Sequence, residues 1–221
     1  MKYISKSDKI RIIPIEYGKS VLPEKLIFLG STENKVHEIV FKIYLVCAFE
    51  KIILIDAGCE TMPGFLMKDF IGTVKALENI NVSPEEITDV IITHAHHDHI
   101  ECVRYFKNAV IHIQKDEYDC GKKYIPDNFI VNIFDDEFAI CENVKVLKIG
   151  GHTKGSCIVE IYNKDDCFVI VGDECYSHKC ILEQIPTGNS ECPENSVRFI
   201  EKYSNSRYKL LFCHDEKNIG E

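Results

Sequence analysis

An α+β fold built on mixed β-sheet is what the 221 residues predict. Three observations carry that reading. Short apolar runs rich in β-branched residues recur along the whole chain, as half-buried strands require. Segments with helical periodicity lie between them. The turn "NKDD" (163–166) joins two such runs in too few residues for a parallel crossover, so the sheet cannot be purely parallel.

In chain order, "IVFKIYLVCAF" (39–49) and "KIILIDAG" (51–58) read as two strands joined by a tight turn. Residues 62–80 read as loop and then helix, with Phe70, Val74 and Leu77 on one helical face. Ser83-Pro84-Glu85-Glu86 is a helix start, with Ser as N-cap, Pro in the first turn and acids at the positive end of the dipole. "DVIIT" (89–93) is a buried strand, "ECVRYFKN" (101–108) a helix and "AVIHIQ" (109–114) a strand. "VKVLKIG" (144–150), "SCIVEIY" (156–162) and "CFVIVG" (167–172) are further strands. A helix over 194–204 and a strand over 208–213 complete the pattern. With no repeat, low-complexity tract or linker in view, residues 1–221 are expected to form a single domain.

The 45% hydrophobic content is that of an ordinary globular chain rather than a disordered one. The N-terminal residues contain no apolar stretch of secretory type, and no run approaches the length needed to span a bilayer. A formal charge of −9, with Lys and Arg scattered, argues against a nucleic-acid partner. The eleven cysteines form no C-x-x-C pair and are read as reduced, mostly buried thiols in a cytoplasmic protein. Cys59, Cys102, Cys157, Cys175 and Cys213 lie near candidate site residues, which leaves oxidisable thiols as the rival reading.

The chemistry concentrates in "THAHHDHIECV" (93–103), which places four of the nine histidines and an aspartate within six positions. Without a metal such a cluster repels itself when protonated, and needs several partners when neutral. Imidazole with carboxylate suits zinc or iron. His94 and His96 lie two apart at a strand end and can point the same way, while Asp98 and His99 continue the turn toward a second ion. The remaining ligands have to come from elsewhere. His152, Asp173 and His214 each follow an apolar strand, the position where sites are normally built.

H-x-H-x-D-H after a strand, then "GGHTKGS", strand-Gly-Asp and a late strand-His, resembles the metallo-β-lactamase superfamily. "LIDAG" (54–58) is similar to that family's early aspartate motif, and the match runs from about residue 36 to 215. The resemblance implies a four-layer αβ/βα sandwich with two mixed sheets flanked by helices. It implies one metal on His94, His96 and His152, and another on Asp98, His99 and His214, with Asp173 bridging and Asp56 orienting ligands. Two divalent ions are therefore expected, zinc first, with iron or manganese as alternatives. The implied reaction is attack by a metal-bridging hydroxide on the carbonyl of a small ester, lactone, thioester or amide. His97 is expected to point away from the ligands.

Tyr176, three residues after the bridging aspartate, and "IHIQKDEY" (111–118) are similar to the N-acyl-homoserine-lactone lactonase branch. That likeness implies catalytic roles for Tyr176, at the substrate carbonyl, and for Asp98, at the leaving group. The glycines common after the motif are replaced by "HIECV", which alters the pocket wall but removes no ligand. The chain stops seven residues beyond His214, so the expectation is that it lacks the glutathione-binding helical domain of the glyoxalase II branch. An iron-dependent oxidoreductase resembling the sulfur dioxygenases is the alternative enzyme. A non-catalytic metal-binding module is disfavoured because no ligand position is degenerate.

Overall fold

A computed structural model of the protein describes residues 10–220, so the leader reading of the first nine residues lies outside the described residues. Among the described residues eleven strands form two sheets. The six-stranded sheet runs in order β1 (Arg11–Pro23), β2 (Val36–Ala48), β3 (Lys51–Ile55), β4 (Asp89–Ile92), β5 (Val110–Gln114) and β6 (Ile130–Phe134). The five-stranded sheet contains β7 (Glu137–Cys141), β8 (Val144–Lys148), β9 (Cys157–Asn163), β10 (Asp166–Ile170) and β11 (Tyr208–Leu211), in the order β11-β10-β9-β8-β7. Both are mixed: β2–β3 is antiparallel and β3–β4–β5–β6 parallel, while β10–β11 is parallel and its other neighbours antiparallel. The helices are α1 (Glu24–Ile27), α2 (Thr73–Asn79), α3 (His97–Ile100), α4 (Lys115–Gly121), α5 (His178–Glu183) and α6 (Pro193–Tyr203). No helix among the described residues is long and apolar enough to cross a membrane.

The chain divides into two compact units. One holds the described residues up to Gly18 with Lys42–Phe134; the other holds Lys19–Phe41 with the described residues from Asp135 onward. In the first, β3 and β4 are buried along almost their whole length, which is why they read as continuous rather than alternating apolar runs. Parallel pairing of Ile55 with Ile91 brings the carboxyl ends of these strands to one edge, where Asp56 and the 93–99 segment follow. In the second, Ile170 of β10 pairs in parallel with Leu211 of β11, so Asp173 and His214, each three residues further on, leave the sheet in step. The antiparallel partners β9 and β8 set the 149–156 turn at that same edge.

Ser83 caps a 3-10 turn over Pro84–Glu86 through a full capping box, as its sequence indicates. Two expectations change. Helix α2 starts only at Thr73, because Gly72 takes a φ of 75° and the Glu60 carboxylate accepts the Val74 N–H at 2.7 Å. Phe70 therefore precedes the helix, with its ring edge-on to Tyr17 at 6.5 Å. The "ECVRYFKN" helix is a 3-10 turn over Glu101–Tyr105, and it continues from α3, which begins four residues earlier at His97. Elements β1, β6, β7, α1, α4 and α5 had no clear signal. Strand β1, for example, contains both Pro14 and Gly18, which as a pattern argue against a strand.

Candidate metal centre

In the first unit the site grows from Asp56, held at a φ of 61° directly after β3. Its Oδ1 accepts the Thr93 N–H at 2.8 Å, and its Oδ2 accepts the Thr93 hydroxyl at 2.9 Å and His99 Nδ1 at 2.8 Å. Having donated to Asp56, the Thr93 hydroxyl presents lone pairs to His94 Nδ1 at 3.1 Å. One buried carboxylate thus fixes the tautomer of two histidines, committing each Nδ1–H and leaving Nε2 as the lone-pair nitrogen. Metal-binding histidines are oriented in this way.

The nitrogens so presented gather. His94 Nε2 lies 3.0 Å from His96 Nδ1, and the His94 and His99 ring centroids are 4.1 Å apart. His99 Nε2 is 3.6 Å from Asp98 Oδ2. His94 and His99 are buried, whereas His96 is exposed. The loop is braced by Glu117, which accepts the Ala95 N–H at 2.8 Å, and by Tyr17, whose hydroxyl donates to the Asp98 carbonyl at 2.7 Å. His97 bonds instead to Thr61, with Nε2 2.9 Å from its carbonyl and 3.0 Å from its hydroxyl.

In the second unit Asp173 lies between two imidazoles. Its Oδ2 is 3.4 Å from His152 Nε2, and its Oδ1 is 3.0 Å from His214 Nε2. Each histidine is anchored at Nδ1 by a backbone carbonyl, His152 by Asn189 at 2.5 Å and His214 by Val40 at 3.0 Å. All three side chains are buried. Tyr176 packs beside both rings, 5.9 Å from His152 and 5.0 Å from His214 between centroids.

Sequence reasoning missed Glu174. It is fully buried and accepts from Gly151 N and His152 N, each at 3.2 Å, from Ser156 Oγ at 2.5 Å and from Ser196 Oγ at 3.3 Å. Burial pushes its carboxyl up to about 7, against the pull of those hydrogen bonds. Gly151 has to be glycine for this approach, since a Cβ would meet Glu174 Oε2 at 2.2 Å. Asp215, next to His214, accepts from Ser177 Oγ, His178 N and His178 Nδ1 at 2.6–2.9 Å and so fixes the segment that follows Tyr176. Burial opposes ionisation of Asp215, but these donors hold its carboxyl below the usual range.

The cysteines near the site are buried, and burial pushes the thiols of three of them up. Burial and the charge of Asp98 raise Cys59 to about 12, and burial raises Cys102 and Cys175 as well. This favours inert packing over the oxidisable reading.

As a donor set, oriented imidazoles with carboxylates fit a borderline divalent cation such as zinc or iron. The sequence profile of the Metallo-beta-lactamase superfamily matches residues 42–199. A probable metallo-hydrolase of Methanocaldococcus jannaschii is 27% identical over 165 residues, covering 74% of this chain and 70% of that one. The N-acyl homoserine lactonase AiiB of Agrobacterium fabrum is 23% identical, with 95% of each chain covered. Among solved structures, an N-acyl homoserine lactone hydrolase with N-hexanoyl-L-homoserine at its catalytic metal centre has a TM-score of 0.82 at 20% identity, covering 95% of both chains. The dizinc quorum-quenching lactonase AidC has a TM-score of 0.73 at 17% identity, covering 93% of this chain and 87% of that one. These likenesses show a shared fold of two mixed sheets with flanking helices.

Proposed function

Because the chain belongs to the metallo-β-lactamase superfamily, we propose that this metal-dependent hydrolase opens a lactone ring on a small molecule, using two divalent ions. Residues 1–221 act as one metallo-β-lactamase-like domain in this reading. His94, His96 and His152 would hold one ion and Asp98, His99 and His214 the other, with Asp173 as the ligand offered to both. Zinc is the first candidate, supported by the dizinc lactonase of the same fold. The observation that carries the reading is Asp173, whose two oxygens each face a different anchored histidine. When bound, the ions supply Lewis acidity and a water of lowered pKa.

The chain's own residues divide the remaining work. Asp56 and Thr93 hold His94 and His99 in one tautomer. Glu174 fixes the backbone of His152. Asp98 takes the role of proton carrier to the leaving alkoxide, and Tyr176 donates a hydrogen bond to the carbonyl oxygen as charge builds there. The lactonases among the relatives support a lactone over a β-lactam or thioester. The iron-dependent oxidoreductase alternative finds no support among these relatives, which are named as hydrolases and lactonases. All eleven cysteines are unbridged, in keeping with a cytoplasmic setting, and the charge of −9 with a small-molecule substrate rather than nucleic acid.

The test is a panel of acyl-homoserine lactones, β-lactams and glutathione thioesters offered to metal-loaded protein. Lactones are expected to turn over fastest. Fully loaded protein that opens no lactone but cleaves another carbonyl substrate overturns the lactonase reading.

A further inference from the structure

Asn189 is held in place by the backbone around it and touches two residues of the site. Its N–H donates to the Leu26 carbonyl at 3.1 Å, just beyond the Leu29 N–H bond to Pro186 O at 2.8 Å. Between them Thr187 is buried and its hydroxyl donates to Leu26 O at 3.3 Å. Gly188 passes so close to α1 that a Cβ would lie 1.9 Å from the Lys25 carbonyl. Beyond it, Glu191 N and Cys192 N donate to the His152 and Gly151 carbonyls at 3.1 and 2.9 Å. The segment is therefore sewn to α1 on one side and to the His152 turn on the other. From this rigid base the Asn189 carbonyl takes His152 Nδ1 at 2.5 Å, while its side-chain Nδ2 donates to the Tyr176 hydroxyl at 3.4 Å.

An amide nitrogen donates and cannot accept. A phenol oxygen that accepts from Asn189 must aim its own O–H at another partner. We propose that Asn189 is a positioning residue that orients the Tyr176 hydroxyl as a donor toward the substrate, resting on the reading that Tyr176 serves the carbonyl oxygen. The role follows from an anchored backbone, a donor-only atom and a phenol beside His152 and His214.

The isosteric change Asn189→Asp separates this role from packing. It keeps size and the backbone bond to His152, but it turns the donor into an acceptor that captures the Tyr176 proton. Asn189→Leu removes the bond while filling the space. Asn189→Asp should lower kcat on lactones by about 10- to 100-fold, the same range expected for Tyr176→Phe, with KM and metal content nearly unchanged. Asn189→Leu should fall by less, roughly 3- to 10-fold, because the hydroxyl is left to rotate. The decisive readout is the double variant. If Asn189 works through Tyr176, Asn189→Asp should cost nothing further in the Tyr176→Phe background, whereas an effect of charge or folding would persist there. A fully active Asn189→Asp enzyme, or additive losses in the double variant, overturns the inference. If Tyr176→Phe is itself as active as wild type, the underlying role of Tyr176 fails, and this inference with it.

Discussion

Replacing Glu174 should separate the charge of this buried acid from its hydrogen bonds. Glu174→Ala deletes the acceptor of two backbone donors, Gly151 N and His152 N, in a fully buried place. The serine hydroxyls retain other partners, Ser156 with the Thr153 carbonyl and Ser196 with Ser190. Two orphaned buried N–H groups at about 1–3 kcal/mol each, plus a small cavity, give a loss of roughly 3–6 kcal/mol. That approaches the whole stability of many domains. Glu174→Gln can keep an oxygen at Oε1 and turn its amide toward Ser196, so about 1 kcal/mol is expected. The two forms also differ with pH in the metal-free protein. Burial holds the folded carboxyl at about 7, above its ordinary 4.5, so the fold favours the neutral acid. The contribution is full below 4.5 and is lost as pH rises through about 7, because the unfolded chain ionises first. The gap, at about 1.4 kcal/mol per pH unit, is worth about 3 kcal/mol. Urea midpoints of wild type, Gln and Ala forms at pH 4.5 and 8 measure both effects. Gln should gain on wild type between those pH values by up to about 3 kcal/mol. A loss below 1 kcal/mol in the Ala form, or equal pH slopes for Gln and wild type, refutes the reasoning.

Asp173→Asn should lower lactone turnover and the occupancy of the second ion together, and elemental analysis showing two tight ions in that variant counts against a bridging role. Asp89, 2% exposed, is opposed by burial, but His112, Lys51 and Thr88 hold its carboxyl at about 2, below the ordinary 3.8. Its contribution of about 2 kcal/mol is present above 3.8 and lost as pH falls to about 2, so Asp89→Asn should flatten the acid limb of stability over that window. Peroxide should leave activity and the buried thiols Cys59, Cys102 and Cys175 unmodified, because burial keeps them protonated; oxidation mapped to any of the three by mass spectrometry would restore the redox reading.

Much of the fold was legible because buried parallel strands announce themselves. After their charged first residues "KIILI" and "DVII" are unbroken apolar runs, and the polar residues after them mark the strand ends. The candidate ligands His94, His96 and His99 stood out for a related reason: imidazoles crowded into six positions have few uses other than a cation, although His97 among them turns to Thr61. What stayed hidden depends on distant partners. Glu174 is one acid in "GDECYS", and its meaning comes from donors at 151, 152, 156 and 196. Asn189 sits in "PTGNSE", which reads as a loop; its role comes from Leu26, His152 and Tyr176. The helix expected from Phe70 failed for a local reason, the left-handed Gly72 and its Glu60 cap, which periodicity does not register. The start of α3 at His97 was masked because histidines and an aspartate look like a loop until they are seen to complete a turn.

The most direct test of the central claim is lactone turnover followed as metal-free protein is titrated with zinc, with bound ions counted at each point. The dinuclear reading expects activity to rise as occupancy passes from one to two ions per chain, and to level off at about two. Full turnover at one ion per chain, or none at two, contradicts it.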